Sequence, residues 1–125
     1  MSPKILVVDD EPAIRDILTS FFKEFGYEVS AARDGREALS ILEQEPIQVM
    51  LFDLNMPGMS GLDLCRAIRP KQPQARIFAL TGFHRLFTPD SARQAGFDGY
   101  LTKPADLHQI LDMVRTAFNQ LEGNA

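Results

Sequence analysis

The chain has 125 residues, of which 45% are hydrophobic and 24% are charged, as expected for one globular domain with a buried core. Its formal net charge of −4 disfavours direct binding to nucleic acid, because phosphates attract basic surfaces. The single cysteine, Cys65, excludes an internal disulfide bond, and no apolar run approaches the ~20 residues of a membrane helix. We therefore expect a cytoplasmic protein without a signal peptide and without membrane contacts.

The predicted elements begin with a strand at residues 4–8, whose continuous apolar run is typical of a parallel strand covered on both faces. Pro12 opens a helix whose apolar residues recur at helical spacing until Gly26. A strand of mixed polarity follows at residues 28–32 and suits the edge of a sheet. The capping pattern that begins at Asp34 then opens a second helix.

The second half of the chain continues this alternation. Residues 48–52 form another buried strand, which we expect to lie centrally beside the first. Ser60 caps a short third helix. Thr88 opens a fourth helix, which lies between predicted strands at residues 76–80 and 99–102.

A final amphipathic helix begins at residue 107, and residues 121–125 are predicted to form a flexible tail. Five strands alternating with five helices indicate repeated right-handed βαβ units. The predicted fold is therefore α/β, a doubly wound (βα)5 domain with a parallel five-stranded sheet over residues 1–125.

Polar residues follow four of the predicted strands, and they are Asp9, Asp10, Asp53, Thr81 and Lys103. The carboxyl ends of parallel strands converge in a crevice, where open α/β folds bind ligands. Carboxylates held close together repel one another, and a hard cation such as Mg²⁺ relieves that repulsion. Asp53 is the candidate nucleophile toward a phosphoryl group. Lys103 would neutralise phosphoryl oxygens, and Thr81 would donate a hydrogen bond to one of them.

Four motifs of the chain resemble the receiver domain of bacterial two-component response regulators, including the chemotaxis regulators. They are ILVVDDEP at 5–12, FDLNMPGMSGLDL at 52–64, LTG at 80–82 and GYLTKP at 99–104. The resemblance covers nearly the whole chain and implies a flavodoxin-like fold with strand order 2-1-3-4-5. It also implies that Asp53 accepts a phosphoryl group from a phosphohistidine of a histidine kinase or phosphotransfer protein, in a self-catalysed reaction of a signalling module that is not otherwise an enzyme.

The resemblance assigns a magnesium site as well. It implies that Asp10, Asp53 and the backbone carbonyl of Asn55 ligate Mg²⁺, and that Asp9 serves the metal through water or as a second ligand. Each position matches the family motif in this sequence.

A switch formed by Thr81 and Tyr100 is also implied. The Thr81 hydroxyl would move toward the phosphoryl group, and the Tyr100 ring would turn into the space that it leaves. The changed surface would act on a downstream protein or output domain, and a phosphorylation-dependent homodimer is a further expectation by analogy.

Two positions depart from the family pattern. Ala105 follows Lys103-Pro104, where the family commonly has Phe, and the loop after Gly82 reads FHRLF. Phe83 lies two residues past Thr81, so we expect it to hinder water and to slow loss of the phosphoryl group. A loop aromatic that caps the core or contacts a partner is the alternative.

Three other functions fit the sequence less well. A phosphohydrolase that uses the same nucleophile would need an acid–base Asp where Asn55 stands. A flavin mononucleotide carrier would need a phosphate-binding loop in place of acids after the first strand, and a domain for protein interaction alone would not need the intact acidic set. His84 and His108 lack a second metal ligand at useful spacing, and Cys65 lies on an apolar helix face, so we interpret all three as structural.

Overall fold

Five parallel strands form one sheet in the order β2-β1-β3-β4-β5. The structure is a computed structural model that describes residues 3–83 and 85–123. The elements are β1 (Lys4–Val8), α1 (Pro12–Glu24), β2 (Glu28–Ala32), α2 (Gly35–Gln44), β3 (Val49–Asp53), α3 (Gly61–Ile68), β4 (Arg76–Thr81), α4 (Pro89–Ala95), β5 (Gly99–Thr102) and α5 (Leu107–Leu121). The predicted doubly wound α/β fold and its strand order are confirmed.

The carboxyl ends of β1, β3 and β4 are in register with one another. Val8 of β1 pairs with Phe52 of β3, and Asp53 pairs with Leu80 of β4. All five residues of β3 are buried, because β1 and β4 cover its two edges and helices cover its two faces. β3 begins and ends one residue later than the predicted 48–52, since Asp53 itself belongs to the ladder, and β4 likewise includes Thr81 beyond the predicted 76–80.

Helices cover both faces of the sheet, as the continuous apolar strands require. On one face, α1 and α5 contribute Leu18, Phe22, Ile110 and Leu111 to a buried cluster. On the other face, the buried cluster includes residues of α2, α3 and α4, among them Ala38, Leu64, Cys65, Ile68 and Ala92. Neighbouring residues of β1 alternate between the two clusters, so the sheet separates two apolar layers.

The predicted helix starts are confirmed by their capping bonds. The side chains of Asp34, Ser60 and Thr88 each accept a hydrogen bond from the backbone N–H three residues later. Helix α5 extends through Leu121, which is half-buried, although the sequence placed this residue in a flexible tail. Its apolar side chain packs against the core of the α1 and α5 face, and this contact continues the helix. Within the described residues, no helix is long and apolar enough to cross a bilayer.

Candidate functional site

Three carboxylates converge where β1 and β3 end. Oxygen atoms of Asp9, Asp10 and Asp53 all lie within 4.8 Å of one another. Asp9 and Asp53 are 1% and 5% exposed, so both carboxylates are withdrawn from bulk water. The parallel register produces this cluster, because it aligns the carboxyl ends of the two adjacent strands.

Lys103, just after β5, reaches into the cluster. Its Nζ donates a 2.8 Å hydrogen bond to Asp9 Oδ2 and lies 3.6 Å from Asp53 Oδ1. Burial alone would lower the pKa of Lys103, but the hydrogen bond to Asp9 and the charges of Asp53 and Asp9 outweigh it and raise that pKa. The ammonium therefore stays protonated and neutralises part of the acidic charge.

Asp53 carries a strongly perturbed carboxyl group. Burial and the charge of Asp9 raise the pKa of Asp53 to about 7, against the opposing effects of Lys103 and of a hydrogen bond from the Asn55 N–H. That N–H donates to Asp53 Oδ1 over 3.3 Å. One lysine thus leaves the cluster short of positive charge, and the site favours a further cation or a proton.

The donor set fits a hard divalent cation. Asp9, Asp10 and Asp53 offer carboxylate oxygens, the ligands that Mg²⁺ prefers in proteins. When bound, Mg²⁺ would neutralise charge that develops on phosphoryl oxygens. The ligand role of the Asn55 carbonyl stays a prediction.

The turn between β1 and α1 is held by a residue that the sequence reasoning did not single out. The Glu11 N–H donates to Asp9 Oδ1 over 2.9 Å. Arg15 Nη1 donates to the backbone carbonyl oxygen of Asp9 over 2.7 Å. The only signal in the sequence is a basic residue in the helix that follows the acidic pair, which does not specify a contact with the backbone.

Gly61 allows the loop after Asp53 to fold back against β3. A Cβ atom at this position would lie 2.4 Å from the carbonyl oxygen of Asp53 and 2.8 Å from a methyl group of Leu54. The Gly61 N–H donates to the Leu54 carbonyl over 3.0 Å. The sequence predicted a loop here but not this close approach, which excludes any side chain.

Thr81 ends β4 beside the acidic cluster and is fully buried. Its carbonyl accepts a 2.7 Å hydrogen bond from the Lys103 N–H, which ties the end of β4 to the residue that carries the ammonium. Its hydroxyl oxygen accepts a 3.0 Å hydrogen bond from the Phe83 N–H. Gly82 is exposed, and the Phe83 side chain is 54% exposed. The structure therefore joins the Thr81 hydroxyl to the backbone of the unusual loop.

Tyr100 lies on β5 with its ring packed against the core on the α2, α3 and α4 side. Its hydroxyl donates a hydrogen bond to the Phe87 carbonyl oxygen, in the loop before α4. Burial raises the pKa of Tyr100, so the hydroxyl remains a donor at neutral pH. The ring thus connects the β5 edge to the β4–α4 loop, and its role in a switch stays a prediction.

Two further residues singled out in the sequence, Cys65 and His108, lie away from this chemistry. Cys65 is fully buried, and burial raises the pKa of its thiol to about 11, which supports a packing role. His108 is exposed on α5 and packs against the Phe21 ring with 5.8 Å between ring centroids. His84 lies outside the described residues. Ala105 is half-buried and packs against the apolar cluster of α1 and α5.

Comparisons with known proteins agree with this geometry. Residues 5–115 match the family model of the response regulator receiver domain. Over 114 residues the chain is 38% identical to response regulator protein PilR of Pseudomonas aeruginosa, covering 91% of this chain and 26% of PilR. It is 36% identical over 115 residues to response regulator MprA of Mycolicibacterium vanbaalenii, covering 92% of this chain and 50% of MprA. The chain thus spans half or less of these two curated relatives.

Solved structures match over the full chain. A CheY-like response regulator receiver domain protein from Methanospirillum hungatei superposes with a TM-score of 0.93, at 29% identity and with 100% of both chains covered. A response regulator receiver domain protein from Clostridium thermocellum gives a TM-score of 0.90 at 30% identity, covering 98% of this chain and 99% of that one. With the family model matching most of its length, the chain belongs to the response regulator receiver domains of two-component signalling.

Proposed function

We propose that Asp53 accepts a phosphoryl group from a phosphohistidine of a histidine kinase or phosphotransfer protein, or from a small acyl phosphate. The P–N bond of the phosphohistidine breaks as a P–O bond to the Asp53 carboxylate forms, and the imidazole nitrogen leaves with the electron pair. Hydrolysis of the acyl phosphate later restores the carboxylate and releases inorganic phosphate. The chain therefore acts as a signalling module and not as an enzyme with its own substrate turnover.

The position of Lys103 carries this proposal. Its ammonium contacts Asp9 at 2.8 Å and lies 3.6 Å from Asp53, at the mouth of a site with three carboxylates. A fixed cation beside a nucleophilic carboxylate stabilises the charge that develops on the transferred group. Burying a carboxylate costs free energy. A cluster without a functional role would therefore not need Asp53 to be buried where β3 ends.

Conformational change would begin at Thr81. Its hydroxyl accepts from the Phe83 N–H and would turn to donate to a phosphoryl oxygen on Asp53. Tyr100 would then lose its bond to Phe87 and turn inward, which changes the surface around α4, β5 and α5. That surface would transmit the signal to a downstream protein or output domain, or form a phosphorylation-dependent homodimer.

Phe83 would set the lifetime of the phosphorylated state. Its side chain is 54% exposed, and its backbone N–H donates to the Thr81 hydroxyl oxygen, so the ring would hinder water that approaches Asp53 past Thr81. Replacing Phe83 with Ala is expected to speed dephosphorylation, measured by loss of the phosphoryl adduct over time. Leu86→Ala, in the same exposed loop, is the matched control, and equal rates in wild type and Phe83→Ala would refute the role.

The phosphohistidine partner would contact apolar surface beside Lys103. Ile17 is 50% exposed, and with Ile14, Pro104 and Leu107 it lines a groove of about 500 Å³ that reaches Lys103. Contact in this groove would place the phosphohistidine of the partner next to Asp53.

Intact mass spectrometry tests the proposed phosphorylation. The protein is incubated with acetyl phosphate, with and without Mg²⁺, beside Asp53→Asn and an exposed-carboxylate control, Glu43→Gln. In the presence of Mg²⁺ we expect wild type and Glu43→Gln to gain an adduct of about 80 Da and Asp53→Asn to gain none. Without Mg²⁺ no protein should gain it. An adduct that persists in folded Asp53→Asn, or its absence from wild type with every donor, would refute the proposal.

A further inference from the structure

Arg15 reaches from α1 back to the end of β1. Its Nη1 donates a 2.7 Å hydrogen bond to the backbone carbonyl oxygen of Asp9, six residues earlier. Arg15 takes part in none of the ion pairs found among the described residues. Its charge is therefore directed at a backbone carbonyl and not at a carboxylate.

This carbonyl belongs to the peptide unit that joins Asp9 to Asp10. Because a peptide unit is planar, fixing its carbonyl oxygen also restricts the positions of the Cα atoms of Asp9 and Asp10, from which both side chains leave the backbone. The other polar atoms of Asp9 are already bonded. Its N–H donates to Ala32, and its two carboxylate oxygens accept from Glu11 and Lys103. Arg15 thus completes the set of hydrogen bonds that hold Asp9, and the neighbour of Asp9 is Asp10, a predicted ligand of Mg²⁺.

We infer that Arg15 is a positioning residue for the magnesium site, acting through the Asp9–Asp10 peptide unit. The inference rests on the proposed function, because it concerns the cation that the acidic cluster would bind. Hydrogen bonds that orient metal ligands commonly change metal affinity by about tenfold or more when they are removed.

The charge of Arg15 and its positioning contact predict opposite effects on Mg²⁺ affinity when Arg15 is replaced, so the inference can be tested. A guanidinium near an acidic site repels a divalent cation, so removing it would tighten Mg²⁺ binding if charge were its main effect. Removing a positioning contact would weaken Mg²⁺ binding, because the two aspartates would lose their fixed relation. Lysine at this position keeps the charge but offers a flexible, point-like donor in place of the planar fork of arginine.

The experiment is a calorimetric titration of the metal-free protein with MgCl₂, on wild type, Arg15→Met, Arg15→Lys and a control, Lys23→Met. The control removes one positive charge from an exposed position on the same helix, far from Asp9. We expect Mg²⁺ to bind Arg15→Met about tenfold more weakly than wild type. Arg15→Lys should fall between them, and Lys23→Met should match wild type.

Thermal unfolding in EDTA separates positioning from a general loss of stability. A purely structural role would lower the melting temperature of Arg15→Met and leave the Mg²⁺ dissociation constant of the folded protein unchanged, which would overturn the inference. Tighter binding by Arg15→Met would overturn it too. If Arg15→Met does not fold, the test is made with Arg15→Lys. Equal Mg²⁺ affinities of Arg15→Lys and wild type would then refute the inference. A wild-type protein that binds no Mg²⁺ refutes the proposed function, whereas wild-type binding with unchanged Arg15→Met refutes only the role of Arg15.

Discussion

Replacing Asp53 with Asn should stabilise the metal-free protein, and the gain should grow with pH. The pKa of Asp53 is raised from 3.8 to about 7 by burial and by the charge of Asp9. The folded protein therefore binds this proton more tightly than the unfolded chain does. That contribution to stability is complete below pH 3.8 and is lost as the pH rises through about 7.

The structure sets the size of the effect. The difference between 3.8 and about 7, at about 1.4 kcal/mol for each tenfold change in proton affinity, gives an upper limit of about 4 kcal/mol. Asn55 and Gly82, which border the site, are both exposed, so water screens part of the repulsion. We expect Asp53→Asn to raise the free energy of unfolding by about 2 kcal/mol at pH 8, with a difference near zero at pH 3.5.

Urea unfolding in EDTA, followed by far-ultraviolet circular dichroism from pH 3.5 to 8, measures this difference. Circular dichroism is the suitable probe because the chain contains no Trp. Glu43→Gln, which removes an exposed carboxylate on α2, should show no comparable pH dependence. A stability difference between wild type and Asp53→Asn that stays constant with pH would refute the reasoning. In saturating Mg²⁺ the advantage of Asn should shrink or reverse, since the cation compensates the charge that Asn removes.

Three further predictions follow from the site and its surroundings. Lys103→Met should slow phosphorylation by acetyl phosphate about a hundredfold in a mass-spectrometric time course, because the cation beside Asp53 is lost; an unchanged rate would contradict its role. Gly61→Ala should lower the free energy of unfolding by about 2 kcal/mol in urea titrations, since its Cβ would clash with the Asp53 carbonyl. A change below about 0.5 kcal/mol would contradict that clash. The Cys65 thiol should resist a disulfide reagent at pH 8 in the native protein and react once urea unfolds it; rapid reaction of the native protein would contradict its burial.

The fold was predictable because its signals are local. Continuous apolar runs identified the buried strands, and Asp34, Ser60 and Thr88 each marked a helix start through a short-range capping bond. The proximity of Asp9 and Asp53 was predictable from the strand ends alone. In a parallel sheet, the carboxyl ends of adjacent strands meet whatever side chains the strands carry.

Contacts made across the fold were not predictable in the same way. Arg69 donates to the carbonyls of Ala75 and Gly96 and pairs with Asp98, which joins the end of α3 to the segments just before β4 and β5. Nothing near Arg69 in the sequence identifies these partners, because they depend on how the elements pack. The same holds for Arg15 on the Asp9 carbonyl and for the close approach at Gly61, which only the folded backbone defines.

The ion pair between Lys103 and Asp9 links residues that are 94 positions apart. Bringing such distant residues together costs loop-closure entropy, so we expect this contact to form after the intervening strands are in place. A chain synthesised from its N-terminus contains Asp9 and Asp53 long before Lys103 exists, and until then their repulsion opposes the pairing of β1 with β3. Lys103, which follows the last strand, therefore relieves the repulsion between the carboxylates at the ends of β1 and β3. The proposed phosphoryl transfer to Asp53 would then be available only to a chain that has completed its folding.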